Sequence, residues 1–461
     1  MNWIQRILFY GIVLVASCQK SDDIPAIYEL NVILGDNQNG LQHEELADEI
    51  ILELSSEKGE VAPNVELNFS GDGYYSPNST ITNDEGRIQL KWTLGEEYNQ
   101  SLKVSVRNSP KSYVTLHAKA KYNYQQPMSN NDGWDVGDIR NYLVDSKTLF
   151  DGIDQIRKGN FIKIHSLLLV KDKKLLLEEY YPGYTSSGEY KDFNINTKHE
   201  VQSASKSFRS ALIGIAIDNG IIEGVDVPIY SFFPGLSSIF SEEKEKITLE
   251  HILTMSSGLQ WDEKSNTSTN DLAEMYSKPY NQWVSYVLDK PVQYAPGTKF
   301  VYNTGASIML NNIIVSRTNF ENFVRTKYAD MVKSSDLPGV GNPLAGTTTP
   351  RDMAKLGYVF LYDGYWKTTK VVSKTWIDQS TQKVFEVEPG LWYGYQWWIK
   401  SLATSKGTFE VIFANGNGGQ FIMYIKEIDL LVVSTGGNFF SNKMWQIYDL
   451  LSAYIIPSVI E

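Results

Sequence analysis

A serine and a lysine three residues apart could form a nucleophilic centre near the middle of the chain. Ser203 and Lys206 open a segment in which apolar residues recur at helical spacing, and Gly220 stands where a helix commonly ends. Residues three apart share a face of a helix, so the two side chains would be neighbours. An apolar helix seated in a core would desolvate the lysine and favour its neutral amine. A neutral amine can take the proton of a serine hydroxyl that attacks an acyl carbon.

The same spacing also occurs where it has no obvious chemistry. Ser-x-x-Lys recurs at Ser17, Ser55, Ser241 and Ser380, and none of these serines opens a strongly apolar helix. An isolated match is interpreted as a helix-capping serine followed by a solvated lysine. The catalytic interpretation of Ser203 therefore depends on the rest of the chain.

Several other chemistries are excluded by the sequence. It has no Gly-x-Ser-x-Gly motif and no histidine after His251, so a hydrolase triad that ends in a late histidine is excluded. It has no His-Glu-x-x-His motif and only one cysteine, so we expect no metal and no other cofactor. The formal net charge of -12 argues against a nucleic-acid partner.

The N-terminus has the pattern of a signal peptide. In residues 1–17, Arg6 precedes an apolar run that is too short to span a bilayer. Small residues then precede Cys18, in a pattern that resembles the lipobox of bacterial lipoproteins. We therefore expect a lipidated Cys18, a polar tether over 18–23, and a membrane-anchored protein of the cell envelope, on the periplasmic or outer-membrane surface. The alternative is a plain secretory signal with a leftover cysteine.

The length of 461 residues is sufficient for two domains. Residues 24–125 have no helical period and contain about seven short alternating runs separated by turn residues, which predicts a small all-β sandwich. The stretch 82–95 resembles bacterial immunoglobulin-like (Ig-like) domains. This domain would be a spacer or, alternatively, a carbohydrate- or protein-binding module. Residues 126–137 are predicted to be a linker.

Residues 138–461 are predicted to form a larger domain that mixes strands and helices. Two apolar strands flank the turn at 171–174, a mostly helical section follows, and strands return at 419–425 and 430–435 before a final helix. This order predicts an α+β fold, in which an antiparallel sheet has flanking helices and an inserted all-α lobe.

Motifs in this domain occur in the same order as in a known superfamily. They are 165–170 (HSLLLV), 202–207 (QSASKS), 248–259 (TLEHILTMSSGL), 302–305 (YNTG), 349–353 (TPRDM), 393–398 (YGYQWW) and 416–420 (GNGGQ). With them the chain resembles the serine β-lactamase/penicillin-binding-protein superfamily over about residues 133–456. It is most similar to the β-lactamase-related serine hydrolases, a branch that includes class C β-lactamases and esterases. The resemblance implies a β-lactamase/transpeptidase-like fold.

The resemblance also implies roles for the reactive residues. Ser203 would form an ester intermediate, with Lys206 and Tyr302 as proton-transfer groups. A nearby ammonium would lower the pKa of the Tyr302 phenol and make it a usable base or acid. Which of the two is the general base is left open. Thr304 stands where the family often has asparagine and would contact substrate, while His251 falls at a helix opening and is interpreted as structural.

The third motif of the superfamily departs from the β-lactamase form. Asn417, Gly418 and Gly419 are aligned with the Lys-Thr-Gly motif of β-lactamases, so no positive charge stands there to bind a substrate carboxylate. This argues against a dedicated β-lactamase or DD-carboxypeptidase. The glycines would let a substrate lie along the strand edge. The oxyanion hole would consist of the backbone N–H groups of Ser203 and Gln420.

The features above predict an extracytoplasmic serine hydrolase. It would cleave an ester or amide, in a small molecule or a peptide, through an acyl-enzyme on Ser203. An alternative within the same class is a DD-peptidase or β-lactamase. A different class is a non-catalytic sensor or binding protein that retains the acylation site, and turnover rather than stable acylation would separate an enzyme from a sensor.

Overall fold

The computed structural model describes residues 27–263, 270–336 and 346–461. The predicted signal peptide, the tether and the lipidation site at Cys18 lie outside the described residues. The chain divides into two compact units, Met1–Asn123 and Tyr124–Glu461. Within the described part of the chain, we find no helix with the length and apolar character needed to cross a membrane.

The first unit is built from strands. They are β1 (Tyr28–Leu34), β2 (Gln38–Leu41), β3 (Ile50–Ser56), β4 (Leu67–Gly71), β5 (Tyr74–Pro77), β6 (Arg87–Thr93), β7 (Asn99–Val106) and β8 (Ser109–Lys121). They form two four-stranded sheets, with the strand orders β1-β3-β6-β5 and β2-β8-β7-β4. Neighbouring strands are antiparallel, except that β2 runs parallel to β8.

Side-chain alternation builds the core of the first unit. Burial alternates along β6 and β7, so one face of each strand is apolar and enclosed. Ile50, Leu52, Trp92, Leu102 and Leu116 come from both sheets and are almost fully buried in one core. The predicted all-β organisation is confirmed, whereas the Ig-like assignment stays a prediction. The described part of this unit has eight strands, where the sequence analysis counted about seven runs; β2 and β5 are short, with four residues each.

An antiparallel sheet is the centre of the second unit. The strands of this unit are β9 (Ile164–Lys171), β10 (Lys174–Tyr180), β11 (Gly183–Tyr184), β12 (Tyr190–Lys191), β13 (His199–Glu200), β14 (Thr347–Thr348), β15 (Tyr365–Trp366), β16 (Thr369–Lys370), β17 (Phe385–Glu388), β18 (Leu391–Tyr393), β19 (Trp398–Thr404), β20 (Gly407–Gly416), β21 (Gln420–Ile425) and β22 (Leu430–Gly436). Eight of them form the sheet, in the order β10-β9-β22-β21-β20-β19-β18-β17. The sequence analysis missed β17 to β20; in β19, for example, only one of the seven residues is buried, so its apolar signal is weak.

The helices flank the sheet and form a lobe between its strands. Within the described residues they are α1 (Ser146–Arg157), α2 (Ser205–Asp218), α3 (Leu249–Leu253), α4 (Asp271–Ser277), α5 (Trp283–Asp289), α6 (Thr304–Val315), α7 (Phe320–Val324), α8 (Asp330–Val332), α9 (Pro350–Leu361), α10 (Lys374–Ser380), α11 (Ile447–Leu450) and α12 (Ile456–Val459). Helix α6 contacts α2, α3 and α5 inside the lobe.

Both faces of the sheet are covered. β9, β21 and β22 are buried along almost their whole length, as expected for a sheet between two layers of helices. Helix α9 packs so closely that a side-chain carbon added at Gly357 would lie 2.4 Å from Leu431. Helix α1 packs on the C-terminal helical segment, where a carbon added at Gly152 would lie 2.7 Å from Tyr454. The predicted α+β fold is confirmed.

Arg351 of α9 holds the segment that the sequence analysis predicts as a linker. Its guanidinium is 3% exposed and donates to Asp132 Oδ2 at 2.9 Å and to the Met128 carbonyl at 2.8 Å. It also donates to Glu178 Oε1 of β10 at 2.7 Å. A buried cation is stable only when such partners replace its water. Residues 128–132 are therefore fixed to the second unit.

Gln396 joins the two helices that position the reactive residues. Its carbonyl accepts the Ser207 hydroxyl of α2 at 2.7 Å, and its side-chain oxygen accepts the Ser307 hydroxyl of α6 at 2.6 Å. Its side-chain amide donates to the Leu253 carbonyl at 2.7 Å, at the end of α3. One buried amide thereby fixes the start of α2 relative to the start of α6.

Candidate active site

Ser203 lies in a tight turn immediately before α2. The 3-10 turn Gln202–Ala204 leads into this helix, and Gln202 has a φ of 51°, which is uncommon for a residue with a side chain. The last residue of β20, Gly416, lies against the turn, where an added side-chain carbon would be 2.2 Å from the Val201 carbonyl oxygen. The backbone around Ser203 is therefore fixed from both sides.

Lys206 lies in the first turn of α2 and contacts the serine directly. Its Nζ donates to Ser203 Oγ at 3.0 Å, and the residue is 3% exposed. Burial lowers the pKa of Lys206 to about 7, with Glu263 opposing and Arg209 reinforcing the shift. At neutral pH a large fraction of this side chain is an uncharged amine, which can accept a proton.

Tyr302 stands two residues before α6 and completes the cluster. Lys206 Nζ lies 4.8 Å from the centroid of its ring. Burial raises the pKa of Tyr302 well above its ordinary value and Glu263 adds to this, while a hydrogen bond with Ser203 and the charge of Arg209 oppose it. The prediction that the phenol has a lowered pKa is wrong, because burial outweighs the nearby cations. Tyr302 is protonated at neutral pH.

Glu263 is a part of the site that the sequence analysis missed. Its carboxylate accepts the Thr304 N–H at 2.7 Å, the Thr304 hydroxyl at 2.8 Å and the Trp261 indole N–H at 2.6 Å. Its negative charge raises the pKa of both Lys206 and Tyr302. A carboxylate four residues after the end of the 248–259 motif was the available signal, but its role depends on contacts with Thr304, 41 positions away in the chain.

Replacing Glu263 with glutamine is expected to move the pH dependence of acylation. Loss of the negative charge lowers the pKa of Lys206 further, so the rise of kcat/KM with pH moves below about pH 7. The maximal kcat/KM should fall less than about tenfold, because the amide oxygen still accepts a hydrogen bond. A pH–rate profile on a chromogenic ester measures the shift. The control is Glu321→Gln on the exposed side of α7, and an unmoved profile in Glu263→Gln would contradict the assigned role.

Thr304 is held by hydrogen bonds to Glu263. It is the first residue of α6, and its hydroxyl and backbone N–H both donate to that carboxylate. Asn303 caps the same helix by accepting the Ala306 N–H at 2.8 Å. Thr304 thus orients the segment that carries Tyr302. The predicted contact of Thr304 with substrate stays a prediction.

Asn417, Gly418 and Gly419 form the turn between β20 and β21. Both glycines have a positive φ, 98° and 102°, which a side chain would strain. The Asn417 side-chain oxygen accepts the Phe440 N–H at 2.8 Å. Gln420 is fully buried, and its side chain exchanges hydrogen bonds with the backbone of Gly436 in β22.

A cavity of about 540 Å³ opens in front of the serine. Among the residues of the predicted site, Ser203, Tyr302 and Asn417 line it, and Lys206 lies directly behind Ser203. Thr304, Gly418, Gly419 and Gln420 are not among its lining residues within the described chain. Of its other eleven lining residues within the described chain, five are aromatic: Phe300, Trp398, Phe413, Trp445 and Tyr448.

Two further residues have structural roles. His251 forms a capping box with Thr248 at the start of α3, which confirms the structural interpretation of this histidine. Trp397 is fully buried in the core next to Phe360. Its neighbour Trp398 points the other way and stacks on Tyr302, with ring centroids 6.0 Å apart.

Comparisons with known proteins support the family and the fold. A family model described as Beta-lactamase matches residues 165–443. A protein assigned as a 6-aminohexanoate-dimer hydrolase from Bacillus anthracis has a similar structure, with a TM-score of 0.54 and 18% identity, over 72% of this chain and 89% of that one. EstCE1, a hydrolase with promiscuous acyltransferase activity, matches with a TM-score of 0.54 and 12% identity, over 67% and 98% of the two chains.

A third similar structure is a penicillin binding protein from Bacillus halodurans. It has a TM-score of 0.50 and 16% identity, over 64% of this chain and 98% of that one. At these identities the three structures show the fold alone. The family match covers the segment that contains Ser203, Lys206, Tyr302 and Asn417.

Proposed function

Since the chain belongs to the beta-lactamase family, a family of serine hydrolases, we propose that it cleaves an ester or amide through an acyl-enzyme on Ser203. The observation that carries this proposal is the 3.0 Å contact between Ser203 Oγ and the buried amine of Lys206. We further propose that it acts outside the cytoplasm, anchored by a lipid on Cys18, as the N-terminal sequence pattern suggests.

Lys206 is the general base in this proposal. Its pKa of about 7 leaves it partly neutral at physiological pH, whereas the raised pKa of Tyr302 keeps the phenol protonated. Lys206 takes the proton from Ser203 as the serine oxygen bonds to the acyl carbon. Tyr302 then gives its proton to the leaving oxygen or nitrogen, and the Lys206 ammonium restores the phenol. Water then takes the place of the leaving group, and the same proton transfers run in reverse to release the acyl group from Ser203.

The negative charge that develops on the acyl oxygen requires hydrogen-bond donors. The Ser203 N–H at the entrance of α2 is one, and the dipole of this helix reinforces it. We place the second hydrogen-bond donor to the acyl oxygen at Asn417 instead of at Gln420. Asn417 lines the cavity, and the end of β20 lies against the serine turn. Each donor of this kind contributes roughly 3 kcal/mol to lowering the barrier.

The cavity supports an ester or amide with an apolar part more than a β-lactam. Asn417 stands where β-lactamases have a lysine, and the walls near Ser203 are aromatic. A large apolar surface favours acyl or aryl groups that displace water from it. We therefore rank an esterase or amidase above a β-lactamase or DD-peptidase, and an enzyme above a non-catalytic sensor.

Active-site labelling and turnover test the proposal together. A fluorophosphonate should modify Ser203, detected by intact mass and peptide mapping, and Ser203→Ala should lose both the label and hydrolysis of 4-nitrophenyl acetate. Ser55→Ala, which changes another Ser-x-x-Lys serine, should behave like the wild type. Nitrocefin turnover above that of the ester would favour a β-lactamase. Labelling without turnover would favour a sensor, and neither in folded protein would exclude the proposal.

A further inference from the structure

A lysine stands in the wall of the active-site cavity away from the reactive cluster. Lys400 lies on β19, opposite Val411 of β20, and is half-buried. Its Nζ lies 5.3 Å from the centroid of the Tyr448 ring. A cation over the face of an aromatic ring is attracted by the ring and is held in place before any ligand binds. The catalytic steps proposed above make no use of this charge.

The cavity connects this lysine to the serine along β20. The side chains of Phe413 and Asn415 lie on the cavity side of that strand, two positions apart as strand alternation requires. Gly416 touches the serine turn, and Val411, opposite Lys400, is five positions earlier. Five positions correspond to about 17 Å of strand. A substrate in reaction at Ser203 can therefore extend toward Lys400 without leaving the cavity.

Stacked aromatic rings form much of the wall between the two ends. Trp398 stacks on Phe413 with centroids 6.4 Å apart, and Trp445 stacks on Tyr448 with centroids 5.7 Å apart. Phe300 packs edge-on against Trp398 at 6.2 Å from the other side. These rings can cover an aryl group or an alkyl chain, while they give little hydrogen bonding to a polar one.

The positive charge of Lys400, at the end of the cavity away from Ser203, favours a carboxylate as its ligand. Among the residues that the structure describes, Lys400 forms no ion pair, so its charge is available to a ligand. Glu388 also lines the cavity. It lies two strands away from Lys400, across Leu391, so their backbones are about 10 Å apart. It is exposed beside a turn, where water and salt screen its charge. The half-buried Lys400 would form the stronger, charge-assisted contact.

We propose that the cavity recognises substrates with a distal carboxylate, joined to the scissile ester or amide by an apolar spacer, and that Lys400 binds this carboxylate. The proposal rests on the hydrolase function proposed above and names its substrate class. Lys400 determines specificity and takes no part in the bond changes at Ser203. The carboxylate is unchanged by the reaction.

Matched ester pairs test this inference. In the first pair, the 4-nitrophenyl monoester of a linear dicarboxylic acid is compared with the 4-nitrophenyl ester of the monocarboxylic acid of equal length, over chain lengths that bracket the span to Lys400. In the second pair, the carboxylate is on the alcohol part. We expect kcat/KM of the wild type to favour the charged member of at least one pair by about tenfold or more, through a lower KM. Added salt should reduce this preference.

Variants locate the effect. Lys400→Met keeps the length and apolar character of the side chain, and should bring the ratio of kcat/KM for the charged and neutral members of a pair close to one. Lys406→Met, an exposed lysine at the β19–β20 turn, should retain the preference. Equal rates for both members of both pairs, or a preference that survives in Lys400→Met, would overturn this inference alone. Failure of the wild type to react with any of the esters would overturn the hydrolase function as well.

Discussion

Replacing Lys206 with methionine is expected to abolish acylation of Ser203 and, at the same time, to make the protein more stable near neutral pH. Loss of the base should lower kcat/KM by roughly 10³-fold or more, because no other group contacts Ser203 Oγ as a proton acceptor at this pH among the described residues. The gain in stability follows from burial, since the lysine ammonium loses its water when the chain folds.

The sign of the stability effect follows from the pKa. The unfolded lysine has a pKa near 10.5, and the folded one is lowered to about 7. Between these values the unfolded chain binds more protons, so the free energy of unfolding of the wild type rises with pH over this window. The full cost of burial is present below pH 7 and disappears above pH 10.5, and it amounts to at most about 5 kcal/mol. Methionine removes this cost.

Thermal unfolding of Lys206→Met at pH 6, 7 and 9 measures the effect. We expect Tm to exceed that of the wild type by several degrees at the two lower values, and the difference to shrink at the highest. Lys355→Met is the matched control: Lys355 is equally buried in α9 but pairs with Asp352 at 2.7 Å, so its loss should lower Tm at each pH. A destabilised Lys206→Met with near-normal activity would show that the lysine is structural.

Replacing Gly416 with alanine should have the second largest effect. The added carbon would lie 2.2 Å from the Val201 carbonyl oxygen and 3.2 Å from the Ala204 N–H nitrogen, so the backbone on either side of Ser203 has to move. A displacement of about 1 Å at a nucleophile reduces rates by roughly 100-fold. Overpacking of this kind also costs about 1–3 kcal/mol of stability.

A second glycine separates this steric effect from a loss of backbone freedom. Gly224 has open space around the position of an added carbon, and Gly224→Ala should leave both activity and Tm close to those of the wild type. Labelling rates with a fluorophosphonate and urea unfolding report the two effects in each variant. Normal labelling of Gly416→Ala would show that β20 does not hold the serine turn.

The parts of the site that are local in sequence could be predicted. Ser203 and Lys206 are three residues apart, in the 3-10 turn before α2 and in the first turn of that helix, so helical spacing was sufficient to predict their contact. The all-β first unit and the α+β second unit followed from side-chain alternation and the order of apolar runs. The position of Tyr302 next to them could be predicted only through the resemblance to a family, because 96 residues separate it from Lys206.

The lowered pKa of Lys206 could be predicted from its place on an apolar helix, but the rest of the electrostatics of the site could not. The direction of the Tyr302 shift depends on burial, which outweighs the cations near the phenol, and burial is a property of the packed lobe. Lys400 gave no signal, and the position of Glu263 just after the 248–259 motif gave only a weak one, because an isolated charge in a sequence usually lies on a solvated surface. To predict that Gln420 bonds to Gly436 of β22, the strand register must be known. A slip of one residue would turn each side chain to the opposite face of the sheet.

The walls of the cavity divide the chain in a way that affects how its selectivity could evolve. The reactive cluster of Ser203, Lys206 and Tyr302 comes from residues up to 302. The proposed oxyanion donor Asn417 and most of the surface that a substrate would touch come from 387–448, in the last fifth of the chain. Exchange of that C-terminal segment between relatives could therefore change the preferred substrate and keep the reactive cluster intact. Laboratory recombination of related chains at the loop before β17 would give proteins with new substrate specificities and an unchanged nucleophile.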